Sequence, residues 1–550
     1  MKKKDWLEIP QGKRTRKYRF FEILPGALSY GMVILLVVLS IVNPLLAAIY
    51  LLVIEVTSLI KALGVAVRTV QGYNAMTNAK KVNWKKRCLE LDAAHEKYEE
   101  LKGVKRKEYE WKKHLANLRK VAALSLENAR GKETQLKYPK YEEIYQVVIM
   151  AAYNEGVETI VPAMEAVTNN TFEMKRTIFV LTYEERGGEG IEKTAREIEK
   201  RYGKKFLSFV ATKHPDGIEG EIKGKGPNLC WGGEAAAREI ERLKIPMENV
   251  ILTSLDADNR MDKQYLDAVA YEFIAHEDRQ NLSFQPISVF ANNIWDAAAP
   301  MRVVAVSNSF WNMIATMRPQ ALRNFASHAQ PLMALSAMKF WSKRTIVEDG
   351  HQYWRSLFFF SGEYEVVPIR VPIGQDAVIA GTLKETLKAQ FIQLRRWDYG
   401  ASDVAYVADH LFKKEPDAPR LATFLKFVRL VDGHVMQAAL SPIIAFGGWV
   451  PMILNWSSRG MVVFNLPSVL SVVQTVAVIG IFVSILMSLR LLPPRPKKYR
   501  KMRKFAMILQ WMLSPIIALC YTSAAAYYSQ TRLMLGKYME KFDVTKKVVK

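Results

Sequence analysis

The longest apolar stretch of the sequence constrains the fold more than any other feature. It runs from Ala27 to Ile60 and is interrupted by Asn43-Pro44 near its middle. One membrane crossing needs about 20 residues, so the stretch fits two crossings joined by a tight turn. It is too long for a secretory signal, and no small-residue cleavage site follows it. The sequence therefore predicts a transmembrane hairpin over residues 27–68.

The net charge of +24 indicates how this hairpin is oriented. Basic residues cluster in residues 1–26, before the hairpin, and again over residues 61–68. Because loops on the cytoplasmic side are enriched in Lys and Arg, both ends are predicted to be cytoplasmic. Glu55 lies in the second crossing and is expected to face protein rather than lipid. A basic chain could also bind nucleic acid, but the apolar segments favour a multi-pass membrane protein in contact with lipid, with no nucleic-acid partner.

Residues 69–139 differ in composition from the hairpin. Lys, Glu, Leu, Ala and Trp dominate between residues 78 and 131, and Gly103 lies near the middle. This pattern predicts two charged amphipathic helices. We interpret the region as a charged helical spacer that is largely solvated.

Residues 140–400 alternate between strand-like and helix-like segments. A helix is predicted from Glu158 to Thr168. The predicted strands are Tyr145–Ala152, Thr177–Thr182, Leu207–Ala211 and Ile251–Leu255. This rhythm predicts an α/β domain with a mostly parallel sheet and helices on both faces. Neither a GxGxxG nor a Walker pattern is present, so the signature of a dinucleotide or ATP site is missing.

Two carboxylates follow the fourth predicted strand, at Asp256 and Asp258. Side chains two positions apart on a strand share a face. The carboxyl ends of strands in open α/β sheets are where ligands bind. An acid pair there could hold a hard divalent cation that bridges to phosphates. A solvated strand end is the other interpretation, and this pair alone does not separate the two.

Three further short patterns lie downstream. Each has a plain structural explanation: a helix cap, an interfacial anchor and a basic tail on the membrane surface. In chain order they are Glu348-Asp349, Gln393-Leu394-Arg395-Arg396-Trp397 and Phe542-Asp543-Val544-Thr545-Lys546-Lys547.

Taken together and in order, these patterns resemble the membrane-bound family 2 glycosyltransferases, the superfamily of cellulose, chitin and hyaluronan synthases. An early Tyr153-Asn154-Glu155 turn completes the ordered set. The resemblance implies a cytoplasmic GT-A type domain over residues 140–400. It also implies transfer of a sugar from a nucleotide sugar, a UDP-sugar first of all, to a hydroxyl of a growing polysaccharide. Single addition to a polyprenyl phosphate or another lipid acceptor is the alternative. A non-enzymatic scaffold or transporter would leave the ordered acids unexplained.

The resemblance further implies a role for each matching residue. Asp349 would be the general base, with Glu348 beside it in the substrate site. Asp256 and Asp258 would hold the donor diphosphate through Mg²⁺ or Mn²⁺. The remaining substrate-binding residues would be Tyr153, Asn154, Glu155 and Lys225 for the nucleotide, Gln393, Arg396 and Trp397 for the diphosphate and acceptor, and Phe542, Val544, Thr545 and Lys547 for gating.

One base and direct attack would invert the anomeric carbon. One departure from the family pattern concerns the residues that would bind the nucleobase of the donor. Many members carry an Asp-Asp pair after the second strand, where this chain has Thr182-Tyr183-Glu184-Glu185. Either Glu184 substitutes for that pair or the contact to the nucleobase is rearranged.

The C-terminal part is divided into interfacial helices over residues 401–433, a transmembrane region over 434–530 and a tail over 531–550. Three segments are candidate crossings: Val435–Leu454, Ser468–Leu489 and Phe505–Tyr528. Three full crossings would place the tail outside the cell, whereas the gating role requires it in the cytoplasm. We therefore expect one segment to be re-entrant or interfacial. The sequence does not indicate which one, nor whether a partner is needed for export.

Overall fold

A computed structural model of the chain describes residues 6–129, 138–456 and 461–540. The strands are β1 (Tyr145–Ala152), β2 (Thr177–Glu184), β3 (Ser208–His214), β4 (Val250–Asp256), β5 (Arg260–Met261), β6 (Leu282–Phe290), β7 (His328–Pro331) and β8 (Glu365–Gln375). The helices before β6 are α1 (Arg16–Val42), α2 (Pro44–Ala79), α3 (Trp84–Asp92), α4 (Ala94–Leu101), α5 (Trp111–Ala129), α6 (Val157–Thr168), α7 (Gly188–Tyr202), α8 (Lys225–Arg242) and α9 (Tyr265–Ala275). The later helices are α10 (Ala299–Thr316), α11 (Leu332–Ala337), α12 (Glu348–Phe359), α13 (Leu383–Asp398), α14 (Asp403–Leu411), α15 (Arg420–Phe446), α16 (Trp449–Leu454), α17 (Met461–Leu491), α18 (Arg503–Leu509), α19 (Ser514–Ile517) and α20 (Ala524–Met534).

The helical hairpin turns where the sequence predicts. Asn43 separates α1 from α2, and its side-chain oxygen accepts a hydrogen bond from the backbone N–H of Leu45 at 2.9 Å. A proline at the first helical position suits the start of α2, because that position needs no N–H donor. Both helices extend beyond the predicted limits. α2 continues to Ala79 because its second half packs on α10, where Gly72 lies directly against Met313.

Three helices, α3 to α5, occupy the region predicted to be a solvated two-helix spacer. Trp84 and Leu118 are buried in the same core as strands β1 and β2. His114 is fully buried and bonds to Glu90 and to the Tyr271 hydroxyl. The solvated interpretation is therefore wrong for this region, since its apolar positions cover one face of the sheet.

The eight strands form one sheet in the order β3-β2-β1-β4-β7-β6-β8-β5. β1 pairs in parallel with both β2 and β4, β2 with β3, and β6 with β8. β7 runs antiparallel between β4 and β6, and β5 runs antiparallel to β8. The sheet is thus mixed and mostly parallel, as predicted. Strand order reverses between β1 and β4, which is where open α/β sheets bind ligands.

Both faces of the central strands are covered. Val148 and Met150 point into the core formed with α6 and α9, whereas Val147 and Ile149 point into the core formed with α8, α11 and α12. Continuous apolar runs are the expected composition of parallel strands buried on two sides. α14, predicted to be interfacial, instead lies in the second core, because the N-terminal segment around Leu7 covers it.

Four helical segments among the described residues are long and apolar enough to cross a membrane. They are Arg16–Val42, Pro44–Ala79, Phe464–Leu491 and Arg503–Met534. α15 is not among them, because its first half is rich in charged residues. The proposed domain boundaries after residues 26, 68 and 433 fall inside α1, α2 and α15, so they do not coincide with the ends of helices.

Contacts between helices show more directly than composition where these segments begin and end relative to the sheet domain. α15 begins beside the sheet domain, where Lys426 Nζ donates to the Tyr353 hydroxyl at 2.8 Å. α16 follows it and reaches the hairpin turn, where Asn455 donates to the Ser40 carbonyl at 2.7 Å. α15 therefore extends from the sheet domain to the far end of the hairpin.

The segment from α18 to α20 behaves differently. Near its start, Arg503 donates to the Trp295 carbonyl of the sheet domain at 2.8 Å. At its end, the Met534 carbonyl accepts from Arg19, at the beginning of α1, at 2.8 Å. Both ends therefore lie on the sheet-domain side. The segment is also broken by a 3-10 turn and by a π-helical turn over Ala518–Ser523.

Candidate functional site

Two of the predicted site segments lie side by side at the carboxyl ends of β1 and β4. Ala151 is paired with Asp256 in the parallel register of these strands. The turn that begins at Tyr153 is therefore adjacent to Asp256 and Asp258. Sheet geometry thus brings together residues that are about a hundred positions apart in sequence.

The N-terminus of α8 lies over the same edge and presents Lys225. The buried Asn228 side chain donates to the carbonyls of Ala152 and Thr182, at 3.2 Å each, which ties the helix to the ends of β1 and β2. A Cβ on Gly226 would lie 2.5 Å from the Ser342 carbonyl oxygen, so the close approach of the helix to the segment before α12 needs glycine there. Gly226 and Asn228 of the Gly-Lys-Gly-Pro-Asn pattern thus each have a local structural reason.

Lys225 joins the two groups of predicted acids. Its Nζ lies 2.5 Å from Asp256 Oδ1 and 3.3 Å from Glu348 Oε1. Burial alone would lower the pKa of this ammonium, but the negative charges of Asp256, Glu348 and Asp349 outweigh it and raise the pKa well above its ordinary value. Lys225 is therefore a fixed cation at the centre of the site.

Glu348 is the buried member of this group, at the N-terminus of α12. Burial raises its pKa to about 7; Lys225 and Arg396 oppose that rise, while the charge of Asp349 adds to it. An unfolded glutamate titrates near pH 4.3. The folded chain therefore binds this proton more tightly than the unfolded chain does. Protonated Glu348 contributes its full stabilisation of the fold below about pH 4.3, and this stabilisation is lost as the pH rises through about 7.

This titration gives a testable pH dependence. Glu348→Gln removes the charge that the buried position disfavours, so the melting temperature of the variant relative to wild type should rise by about 2–5 °C from pH 5 to pH 8. Thermal unfolding of the purified protein in detergent, without nucleotide or added metal, measures the difference. Glu363→Gln, at an exposed position, is the matched control. A pH-independent difference for Glu348→Gln would contradict the assignment.

Asp349 is half-buried and held by two backbone groups. Its Oδ2 accepts from the Ala326 N–H at 2.6 Å, and its Oδ1 accepts from the Gly350 N–H at 2.7 Å. Ala326 has a positive φ of 49°, an uncommon conformation for a residue with a Cβ. The loop before β7 thus adopts a strained turn that fixes the orientation of this carboxylate.

Glu155 and Asp258 are a further pair of neighbouring acids at this edge of the sheet. The Glu155 carboxylate accepts from the Tyr153 N–H at 2.6 Å and from the Asn154 N–H at 3.1 Å. Burial raises the pKa of Glu155, and the nearby charge of Asp258 contributes to the rise. Mutual repulsion of this kind marks a place where a cation would be favourable.

The acids fit a divalent cation that is shared with a substrate. Among the described residues, no group of three or more His, Cys, Asp or Glu side chains could hold an ion by itself. Asp256 and Asp258 supply carboxylate oxygens, the ligands that Mg²⁺ prefers. Mg²⁺ is commonly bound through one or two carboxylates, with substrate phosphates and water completing its shell. The residues present match that mode of binding and not a closed protein cage.

The side of the site next to β2 is formed by Tyr153, Glu184 and Arg186. The Arg186 guanidinium lies 5.0 Å from the centre of the Tyr153 ring and is ion-paired with the buried Glu184. A Cβ on Gly187 would overlap the Tyr153 carbonyl oxygen, so this approach needs glycine. Glu184 thus occupies the position at which the family resemblance would place an acid pair, and Arg186 neutralises it.

The Gln-x-x-Arg-Trp pattern lies on α13. Thr382 and Glu385 form a reciprocal capping box at its start. Arg396 is close enough for its charge to act on Glu348, whereas Trp397 is 37% exposed and packs on Phe290. The predicted gating residues Phe542, Val544, Thr545 and Lys547 lie outside the described residues.

Gln393 makes a local contact within the same helix. Its Oε1 accepts from Gln390 Nε2 at 3.0 Å, and its side chain is buried. Gln393 thus contacts its own helix, whereas the charge of Arg396 acts on Glu348.

Two residues in the site have no signal in the sequence. Arg186 follows a strand like many other arginines, and only the fold places it over Tyr153. His328 on β7 is buried, and Asp349, Lys225 and Asp256 all act on it electrostatically; burial lowers its pKa to about 4, so its ring is neutral near pH 7. A pattern search for His near Asp349 would instead select His351, whose Nδ1 lies 2.7 Å from Asp403.

No protein-family model and no curated protein sequence matches the chain. Solved structures that it resembles include the mannosyltransferase PcManGT from Pyrobaculum calidifontis in complex with GDP-Man and Mn²⁺, at 12% identity over 79% of this chain and 99% of that one, with a TM-score of 0.37. S. aureus TarS is matched at 10% identity over 71% of this chain and 55% of that one, with a TM-score of 0.30. A TarS fragment in complex with UDP-GlcNAc is matched at 11% identity over 72% and 93%, with a TM-score of 0.33. Likenesses this weak do not by themselves establish a shared fold or function.

Proposed function

We propose that this chain is a membrane-bound, nucleotide-sugar-dependent glycosyltransferase. The observation that carries the proposal is the single cluster formed by Lys225, Asp256, Glu348 and Asp349 at the switch point of the sheet. A cation held between carboxylates, with a backbone-fixed Asp beside it, suits transfer from a donor whose leaving group is a diphosphate. The order of the motifs in the sequence supports the same assignment.

We infer the position of the donor from the residues on each side of the site. Its base would lie against Tyr153 and Arg186, where an aromatic ring and a guanidinium provide stacking surfaces. Its diphosphate would lie at Asp256 and Asp258, with Lys225 as a fixed positive charge. A bound Mg²⁺ or Mn²⁺ would supply charge stabilisation of the leaving diphosphate. Arg396 adds a second cation on the side of α13.

Asp349 is the proposed general base. It would accept the proton of the acceptor hydroxyl while that oxygen bonds to the anomeric carbon and the bond to the diphosphate breaks. A single displacement of this kind inverts the anomeric configuration. Burial lowers the pKa of His328 to about 4, so this neighbouring residue is a weaker base than an ordinary imidazole. The resemblance to polysaccharide synthases favours a glycan hydroxyl as acceptor, and product length separates chain growth from single addition to a lipid.

Donor binding tests this proposal. Purified protein with Mn²⁺ should show thermal stabilisation by a nucleoside diphosphate, UDP first of all, since a ligand that binds only the folded state raises its stability. Release of the diphosphate from a matching panel of nucleotide sugars then identifies the donor. A folded protein that binds none of these nucleotides would contradict the assignment.

We also propose that four helices cross the membrane: α1, α2, α15 and α17. In this arrangement the segment from α18 to α20 lies at the interface on the sheet-domain side, in keeping with its contacts to Trp295 and Arg19. The basic flanks of the hairpin favour a cytoplasmic sheet domain. An even number of crossings would return the C-terminal tail to the cytoplasm, where gating could occur.

Cysteine labelling tests this topology. Asn43→Cys should react with an impermeant maleimide in right-side-out vesicles, whereas Glu540→Cys should react only after permeabilisation. Both variants are made with Cys520→Ser, because Cys520 is exposed, while Cys88 and Cys230 are buried. Labelling of Glu540→Cys from outside would contradict the four-crossing arrangement and remove the gating role.

A further inference from the structure

Four arginines lie on the elements where α2 and α15 meet the loop that leads to Asp349. They are Arg68 on α2, Arg318 and Arg323 between α10 and β7, and Arg429 on α15. Within the part of the chain that the structure describes, none of them forms an ion pair with a carboxylate. We refer to them as the arginine cluster.

Packing contacts bring the helices that carry these arginines together. Gly72, one turn beyond Arg68, lies against Met313, shortly before Arg318. On the other side, Lys426 bonds to Tyr353 at 2.8 Å, one turn before Arg429. α2 and α15 are joined further into the membrane by the Lys61–Asp432 ion pair at 3.7 Å. The cluster thus lies between two proposed membrane helices, on the sheet-domain side of that ion pair.

The positive charges of the cluster act on one another, and Arg318 and Arg429 are exposed, so an anion could reach them from outside. Burial lowers the pKa of Arg318, and the charges of Arg68 and Arg429 lower it further. Burial also lowers the pKa of Arg323, where Asp403 opposes the effect and Arg429 adds to it. An anion that binds among like charges relieves their mutual repulsion.

The cluster is connected to the proposed base through one short loop. The Arg323 guanidinium lies 5.7 Å from the centre of the Trp354 ring on α12. Two residues later, the Phe325 ring packs on Trp311 at 4.7 Å between centroids, and Trp311 is 51% exposed. The next residue, Ala326, donates its N–H to Asp349. A ligand held by the cluster would therefore lie beside the acceptor side of the site.

We propose that the arginine cluster binds the phosphate of a membrane lipid to which the acceptor sugar is attached. The statement that the bound lipid carries the acceptor sugar rests on the proposed glycosyl transfer. The phosphate site itself does not depend on that proposed function. Guanidinium groups bind phosphate oxygens through paired hydrogen bonds. A neutral glycan carries no charge for the guanidinium groups to bind, whereas a lipid phosphate at the membrane surface does.

The surroundings favour a lipid over a soluble anion. Val67 and Val428, the immediate neighbours of Arg68 and Arg429, are exposed on their helices, as is Leu425. An alkyl or isoprenoid chain could lie along these apolar surfaces while its phosphate remains among the arginines. General attraction of anionic lipids by surface charge is the competing explanation, and it depends on the number of charges rather than on their position.

Binding of farnesyl phosphate to the full-length protein in detergent, measured by native mass spectrometry, tests the site. Arg318→Gln/Arg429→Gln should weaken binding by about 10-fold or more, because two charge-assisted contacts are lost. Removing two repelling charges should not unfold the protein. Lys501→Gln/Lys504→Gln, which removes two exposed charges from the basic segment before α18, is the matched control and should change binding less than about twofold.

Each arm of the experiment has a result that overturns the proposal. Equal losses in both double variants would indicate general surface charge. Equal binding of farnesol would indicate recognition of the chain alone, and displacement by inorganic phosphate at the same concentration would indicate a free-phosphate site. Absence of farnesyl phosphate binding would remove the site. If binding follows the prediction but no nucleotide sugar is consumed, the lipid phosphate site stands and the glycosyl transfer fails.

Discussion

Asp349→Asn is expected to lower turnover by about 10²–10⁴-fold, the usual contribution of a positioned general base. The amide cannot accept the proton of the acceptor hydroxyl. Both Asp349 oxygens now accept backbone N–H groups, from Ala326 and Gly350, and an asparagine can retain only one of these bonds. Steady-state release of the nucleoside diphosphate in the presence of acceptor measures the loss.

Two controls separate loss of the base from loss of structure. Binding of the nucleoside diphosphate should change little in Asp349→Asn, since Lys225, Asp256 and Asp258 are untouched. Asp278→Asn, at the opposite edge of the sheet just before β6, should retain wild-type turnover. Near wild-type turnover by Asp349→Asn would exclude it as the base and direct attention to Glu348 or His351.

Asp258→Ala is expected to abolish measurable turnover while the protein remains folded and inserted in the membrane. Charge stabilisation by a metal is worth several kcal/mol, and each loss of about 1.4 kcal/mol slows the reaction about tenfold, so a decrease of roughly 10²–10³-fold or more follows. EDTA should act on the wild-type protein in the same way, and Mg²⁺ or Mn²⁺ should restore activity. Burial raises the pKa of Glu155, and removing Asp258 also removes a charge that adds to this rise.

A neighbouring acid provides the matched control for this substitution. Asp262 lies four positions later and pairs with Lys80 at 3.4 Å, on the side of α2. Asp262→Ala should therefore alter turnover less than about twofold, because the Asp262 carboxylate contacts Lys80 and the Gln264 N–H rather than the site. Full activity of the wild-type protein in EDTA would contradict the proposed metal role of Asp256 and Asp258.

The parts of the fold that were predictable are those that short-range patterns determine. Asn43-Pro44 marks the hairpin turn because one residue caps and the other begins a helix. The β1 and β4 strands were predicted because their apolar runs are bounded by turn residues. The antiparallel β7 could not be predicted, because its four residues form a strand only through pairing with β4 and β6.

Long-range packing also explains where composition misleads. The charged residues of α3 to α5 suggest a solvated spacer, yet one face of these helices carries Trp84, Cys88 and Leu118 into the core. Hydropathy selects Arg503–Met534 as a crossing and rejects α15. The contacts of Asn455 with Ser40 and of Met534 with Arg19 favour the reverse assignment.

The acids of the candidate site could be named from the sequence because they follow strands or begin a helix in a fixed order. The contacts among these residues could not be predicted from the sequence. Lys225 bridges Asp256 and Glu348, which are 92 positions apart in the chain, and only the tertiary fold brings them within ion-pair distance. The arginine cluster had no signal at all, because its four members come from three separate parts of the chain.

The most direct test of the central claim is sugar transfer by the purified protein in lipid nanodiscs. A panel of labelled nucleotide sugars is supplied with Mn²⁺, and released nucleoside diphosphate is compared with label in the glycan and lipid fractions. The proposed function predicts one donor for which the two amounts are equal, with both lost in Asp349→Asn. Folded protein that releases no diphosphate from any donor, or release that is equal in wild type and Asp349→Asn, would contradict it.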